Sequence, residues 1–185
     1  GGPASAFTLS YTAGDTRFSG PLTLGIIPAP SEIPTSGQAT FTGTVQMTVV
    51  LQAPDGGTRR LALTGDATLQ VGYGSGQSLL QVDNVTGGDG ALPFETLEWG
   101  PLGFCGARIV STGAGTFRLL DDAGTRVRPF SAPPEADAQT PSRARLESTL
   151  HRGEAPGTPP SGAGGVFAIQ GDGGIVWGAF TVTNP

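Results

Sequence analysis

One histidine, one cysteine and two tyrosines hold most of this chain's capacity for nucleophilic, acid–base or iron-ligating chemistry. His151 is able to act as a lone base or to ligate haem iron, and Tyr11, Tyr73 and Cys105 are the other side chains of axial-ligand type. A single imidazole excludes the zinc centres that need several. A single thiol excludes an internal disulfide or a multi-cysteine metal site. His151 reads as a surface residue at a strand end. Cys105, in Phe104-Cys-Gly106, lacks the neighbouring base or positive field that makes a reactive thiolate, and reads as a small buried hydrophobe. Serine is plentiful, but no Gly-x-Ser-x-Gly elbow occurs, and Gly74-Ser-Gly76 has the wrong spacing for one. The pairs Glu95 and Glu98, and Asp121 and Asp122, fall where a strand or turn shows its charges to water. Gly87-Gly-Asp-Gly90 and Gly171-Asp-Gly-Gly174 lack the repeat spacing and oxygen density of calcium sites and read as turns. No catalytic set, metal site or cofactor is assigned, and the chain is expected not to be an enzyme.

Three aromatic residues remain as contacts for a core or a partner. Trp177, among Val176, Ala179 and Phe180, is expected in the core. Trp99, beside Gly100-Pro101, is expected as an exposed anchor, and with Phe104 it is the partner-binding candidate.

The elements that must carry these residues are strands. Two apolar runs, Val166 to Ile169 and Ile175 to Val182, flank Gly171-Asp-Gly-Gly174 and form a terminal hairpin, with Trp177 and Phe180 on opposite faces. Phe41, Val45, Met47, Val49 and Leu51 alternate with threonines and a glutamine. The pattern reverses at Pro54-Asp-Gly-Gly57, resumes through Ala67, Leu69, Val71 and Tyr73, with Gly65 marking a bulge or corner, and reverses again at Gly74-Ser-Gly76. Asp121-Asp-Ala-Gly124 reads as a further turn and residues 129–141 as an exposed loop. Residues 143–152 suit a strand better than a helix. Residues 1–36 form N-terminal strands or a clasp, with an extended Pro-rich connection at 28–34. The expected fold is all-β: an antiparallel up-and-down barrel of about eight strands over residues 37–185, preceded by short additional strands.

The totals narrow the function. With 185 residues the chain buries a core without staples. A net charge of −5 disfavours nucleic acid, which needs clustered positive charge. No run of eighteen apolar residues is present, so no transmembrane helix is expected. A lipid-spanning barrel is disfavoured because several strands look short and aromatic girdles are missing. A start at Gly1-Gly-Pro3 is compatible with a processed lipoprotein whose lipid-bearing cysteine lies outside this sequence.

In order along the chain, Gly37-Gln-Ala-Thr-Phe-Thr-Gly43, Leu63-Thr-Gly-Asp-Ala-Thr-Leu69 and Gly164-Gly-Val-Phe167 resemble the β-barrel domain of transferrin-binding protein B and its relatives. The resemblance covers residues 37–183. It implies a single-barrel, non-enzymatic, extracytoplasmic binding protein at the bacterial outer-membrane surface or in the periplasm. Such a protein carries a lipid anchor and captures a protein or haem-type nutrient ligand through barrel-end loops. The alternative is a structural or assembly subunit of a cell-surface complex.

Overall fold

The computed structural model describes residues 5–13, 16–52, 56–88, 92–112, 117–124, 126–127, 143–153, 155–171 and 174–185. Among them are twelve strands: β1 (Ser5–Ala13), β2 (Thr16–Leu24), β3 (Gln38–Gln52), β4 (Thr58–Gly72), β5 (Gln77–Thr86), β6 (Thr96–Cys105), β7 (Arg108–Thr112), β8 (Phe117–Leu120), β9 (Arg126–Val127), β10 (Arg143–His151), β11 (Gly162–Gly171) and β12 (Gly174–Thr183). A 3-10 turn, Pro30–Glu32, interrupts the connection expected to be extended, because Pro30 fixes a helical φ at its start.

Eight strands close into a ring in the order β3-β4-β5-β6-β7-β10-β11-β12, every neighbour antiparallel, with β12 returning to β3 from Thr183↔Thr42 to Gly174↔Leu51. This is the expected up-and-down barrel. Only the last residues of β6 pair with β7; its first half pairs with β8, which in turn pairs with β9, so a short ribbon branches from the wall. β1 and β2 form a separate hairpin, and β2 lies against β11 and β12.

Alternation explains the closure. In β3, Phe41, Val45, Met47 and Val49 are buried while Thr42, Thr44 and Gln46 face water. Inward residues from all the ring strands meet in one filled core, including Leu63, Leu80, Leu97, Ile109, Leu146 and Phe180. A lipid-spanning barrel would show the reverse, apolar outside and polar within. At Gly65 the register between β4 and β5 shifts, and the extra residue lies on β5, where Asn84 adopts φ 52 and its amide donates to Asp66 Oδ2 at 2.7 Å. The bulge expected near Gly65 is therefore present, carried by the facing strand.

Gly43 and Gly65 stand where strands crowd. A Cβ on Gly43 would lie 2.0 Å from the Thr181 carbonyl oxygen of β12, so only glycine permits this part of the closing seam. Phe41 and Ala39 share its inward side.

The connections divide unevenly. At the end where β3 begins and β12 finishes, the lower end, lie residues 25–37, 73–76, 106–107 and 152–161. At the upper end lie 56–57, 87–88, 92–95 and, between β7 and β10 in sequence, the ribbon of β8 and β9. The loop expected at 129–141, and Asp89-Gly90 and Asp172-Gly173 of the two glycine-rich turns, lie outside the described residues.

Candidate functional site

The two tryptophans occupy the reverse of their expected places. Trp99 has no exposed surface and sits edge-on to Phe167, ring centroids 6.0 Å apart, inside the barrel. It is therefore not an exposed anchor. Leu97 and Trp99 share the inward side of β6, and a register shift against β5 then lets Leu102 point inward as well, three residues on. Trp177 follows inward-facing Val176 and so stands on the outer wall, half-buried. Phe104 is half-buried at the lower end and meets Tyr73 edge-on at 5.9 Å. The Tyr73 hydroxyl is buried with no hydrogen-bond partner among the described residues, and burial pushes its ionisation above the usual range.

Cys105 and His151 also depart from expectation. Cys105 is exposed because it ends β6 at the tight Gly106 turn, where no strand covers it. Native protein should therefore take up one equivalent of a thiol-reactive probe without denaturant; labelling only after unfolding would contradict this. His151 is at a strand end but is 6% exposed. It stands on the outer side of β10, covered by Gly25, where an added Cβ would come within 2.4 Å of the imidazole. Tyr73 packs inward and His151 outward, so these two iron-ligand types do not share a pocket. Tyr11 lies in β1 opposite Phe18, and its side chain is outside those described. Among the described residues no three His, Cys, Asp or Glu side chains gather as a metal site.

The outer wall carries a groove of about 410 Å³ across β10, β11 and β12. Val166, Ala168 and Trp177 face it, and register places Ala168 directly opposite Trp177. Arg145 and Glu147, ion-paired two residues apart on β10, line one side. On the other side the Arg60 guanidinium lies 5.9 Å from the Trp177 ring centroid. Sequence reasoning missed this groove because it placed Trp177 inside; the alternation of Val176, Phe180 and Val182 carried the signal. Arg60→Ala should cost no more than about 1 kcal/mol, the usual worth of an exposed cation–π contact. It should also increase acrylamide quenching of Trp177 fluorescence, whereas unchanged quenching would show that the guanidinium does not cover the ring. A second, uncharged groove of about 380 Å³ near the lower end is lined by Gln38, Thr40, Gln70, Gln77 and Pro101 among others.

The lower end also holds a buried carboxylate. Glu32, 7% exposed, accepts hydrogen bonds from the Gly157 N–H at 2.9 Å, the Ala29 N–H at 2.8 Å and the Arg152 guanidinium at 2.6 and 3.0 Å. These donors, the Gly157 and Ala29 amides first and Arg152 after them, hold its carboxyl below the usual range against the opposing effect of burial. A carboxyl depressed in the folded state stabilises above its unfolded value, and that stability is lost as pH falls through the folded value. Glu32→Gln should therefore flatten the acid limb of a pH–stability profile measured below the ordinary glutamate range; an unchanged limb would count against the assignment.

A closed, core-filled barrel with a polar outer wall defines the class of fold. No family model and no curated protein matches the chain. Solved structures do, among them structures of transferrin-binding protein B. Intact Ap-TbpB, with its N and C lobes, superposes with a TM-score of 0.61 at 13% identity, over 98% of this chain and 33% of that one. A double mutant of the vaccine antigen transferrin-binding protein B from Haemophilus parasuis gives 0.58 at 12% identity, over 98% and 32%. The isotype 1 protein from serogroup B Neisseria meningitidis gives 0.53 at 11%, over 100% and 31%. The chain thus has a transferrin-binding-protein-B-like fold and spans about a third of the length of those proteins.

Proposed function

We propose that this chain is a non-enzymatic, extracytoplasmic bacterial binding protein that captures a protein ligand. The observation that carries the reading is the filled barrel of transferrin-binding-protein-B-like fold. Its interior is occupied by packed side chains, so a ligand must be met on the surface. Two surfaces suit that role: the upper end, from which the longest connection departs, and the adjoining wall groove, where Trp177 offers an amphipathic anchor flanked by Arg60 and Arg145. Phe104, half-buried and edge-on to Tyr73, contributes at the lower end at most. A protein ligand is favoured over haem because Tyr73 and His151, two of the iron-ligand types, lie on opposite sides of the sheet.

The test uses two probes on the purified chain. Immobilised protein is exposed to iron-loaded transferrin, and separately the protein is titrated with haemin while the visible spectrum is recorded. A saturable transferrin response, weakened by Trp177→Ala, supports protein capture. A saturable Soret shift would move the ligand to haem. A flat response to both would overturn nutrient capture and leave the assembly-subunit reading.

A further inference from the structure

Residues 25–34 run from the end of β2 across the lower outside of the barrel as a strap, and two contacts hold them there. Ile26 accepts a backbone hydrogen bond from Arg152 at 2.7 Å, and the Glu32 carboxylate receives the Gly157 amide and the Arg152 guanidinium. Just before the first of these contacts, at Gly25, the strap closes over His151. The imidazole is flush against Gly25, and its Nδ1 is buried without a hydrogen-bond partner. The backbone of His151 is fixed independently, since its carbonyl accepts from Ser161 and the preceding Leu150 N–H donates to Ala107. A change in the imidazole is therefore felt by its cover and not by its own strand.

We propose that the strap is an acid-released latch: protonation of His151 lifts residues 25–34, and with them the β1–β2 hairpin, off the outer wall while the barrel stays closed. A second proton would place a full charge beneath Gly25 and an N–H at Nδ1, which is buried with no hydrogen-bond partner among the described residues. The charged groups around the ring do not compensate. Arg152 adjoins it on β10, and Arg108 of β7 lies opposite Thr149 on the same outer side. On the strap, Glu32 already has its oxygens occupied by Gly157, Ala29 and Arg152. β11 and β12 present Gly162 and Thr183, both uncharged, beside it. Arg17 is the charged residue of β2, at the far end of that strand from Gly25. In the β10–β11 connection, Glu154 lies outside the described residues.

Burial already holds the His151 ionisation below its ordinary 6.5. A base depressed in the closed state favours closure above 6.5, and closure weakens about tenfold for each pH unit below it until the closed-state value is reached. Release would uncover the strip of wall next to Trp177. Ala179 is outward on β12 and lies outside the barrel core, yet is only 4% exposed.

Amide hydrogen exchange, resolved by residue and corrected for the intrinsic pH dependence, tests the latch on the whole chain. On going from about pH 7.5 to about pH 5.5, the Arg152 and Gly157 amides, which donate to the strap, are expected to lose protection, by up to about the tenfold that one pH unit of linkage gives. The amides of the β3–β12 seam should keep theirs. His151→Leu should abolish the loss. Equal loss in strap and seam, or loss that persists in His151→Leu, would overturn the proposal. Gly25→Ala leaves the imidazole in place and crowds its cover, so its strap amides should already exchange faster at neutral pH; unchanged protection there would also overturn it.

Discussion

Trp99→Ala is expected to lower the unfolding free energy by about 3–5 kcal/mol, the range for truncating a fully buried large aromatic. The indole has no exposed surface, stacks edge-on against Phe167, and stands where β5 and β6 change register. Neighbours on a closed ring cannot collapse into the hole without shearing a hydrogen-bonded wall, so the cavity term remains large. Urea unfolding followed by far-ultraviolet circular dichroism measures it. A loss below about 1 kcal/mol, typical of an exposed site, would restore Trp99 to the surface.

Gly43→Ala is expected to cost about 3 kcal/mol, at the upper end of overpacking penalties, although it adds a single methyl group. Its Cβ would fall 2.0 Å from the Thr181 carbonyl oxygen and 2.8 Å from the Val182 Cα, both backbone atoms of the strand that closes the barrel. A side chain could rotate away, but a paired strand has to part. Thr44→Ala, next along β3 on the exposed side, is the control and should stay within about 0.5 kcal/mol. Equal unfolding midpoints for the two variants would mean that β3 and β12 are not in close register at this point.

Much of the barrel could be read from alternation. The terminal hairpin and the meander from β3 to β5 announce themselves because one residue in two is apolar and glycine-rich turns separate the runs. The strand at 143–151 was legible through Ala144, Leu146 and Leu150 on one side. What alternation does not supply is the direction of the core when apolar residues stand on both sides. Around Trp177 both parities are apolar, and the decision fell to Val176, Phe180 and Val182, whose partners across the barrel are distant in sequence. Around Trp99 the register shift puts residues 97, 99 and 102 on one side, a spacing that no strict period contains. His151 was misplaced for a different reason: its cover is Gly25, more than a hundred residues upstream and with no side chain to leave a signal. The exposure of Cys105 follows from a turn only two residues long, between strands whose limits the Gly-rich sequence left undefined.

The ring closes through β12, the last strand, against β3, the first strand of the barrel. As the chain is made from its N-terminus, seven of the ring's eight strands can meet in order, by short connections except for the long step from β7 to β10, but none of this produces a barrel until β12 arrives. Until then β3 and β11 remain open edges, the state in which β-rich chains recruit one another. The commitment to fold is thus held back until β12 has been made, and loss of residues 174–183 would yield an aggregating sheet in place of a smaller barrel.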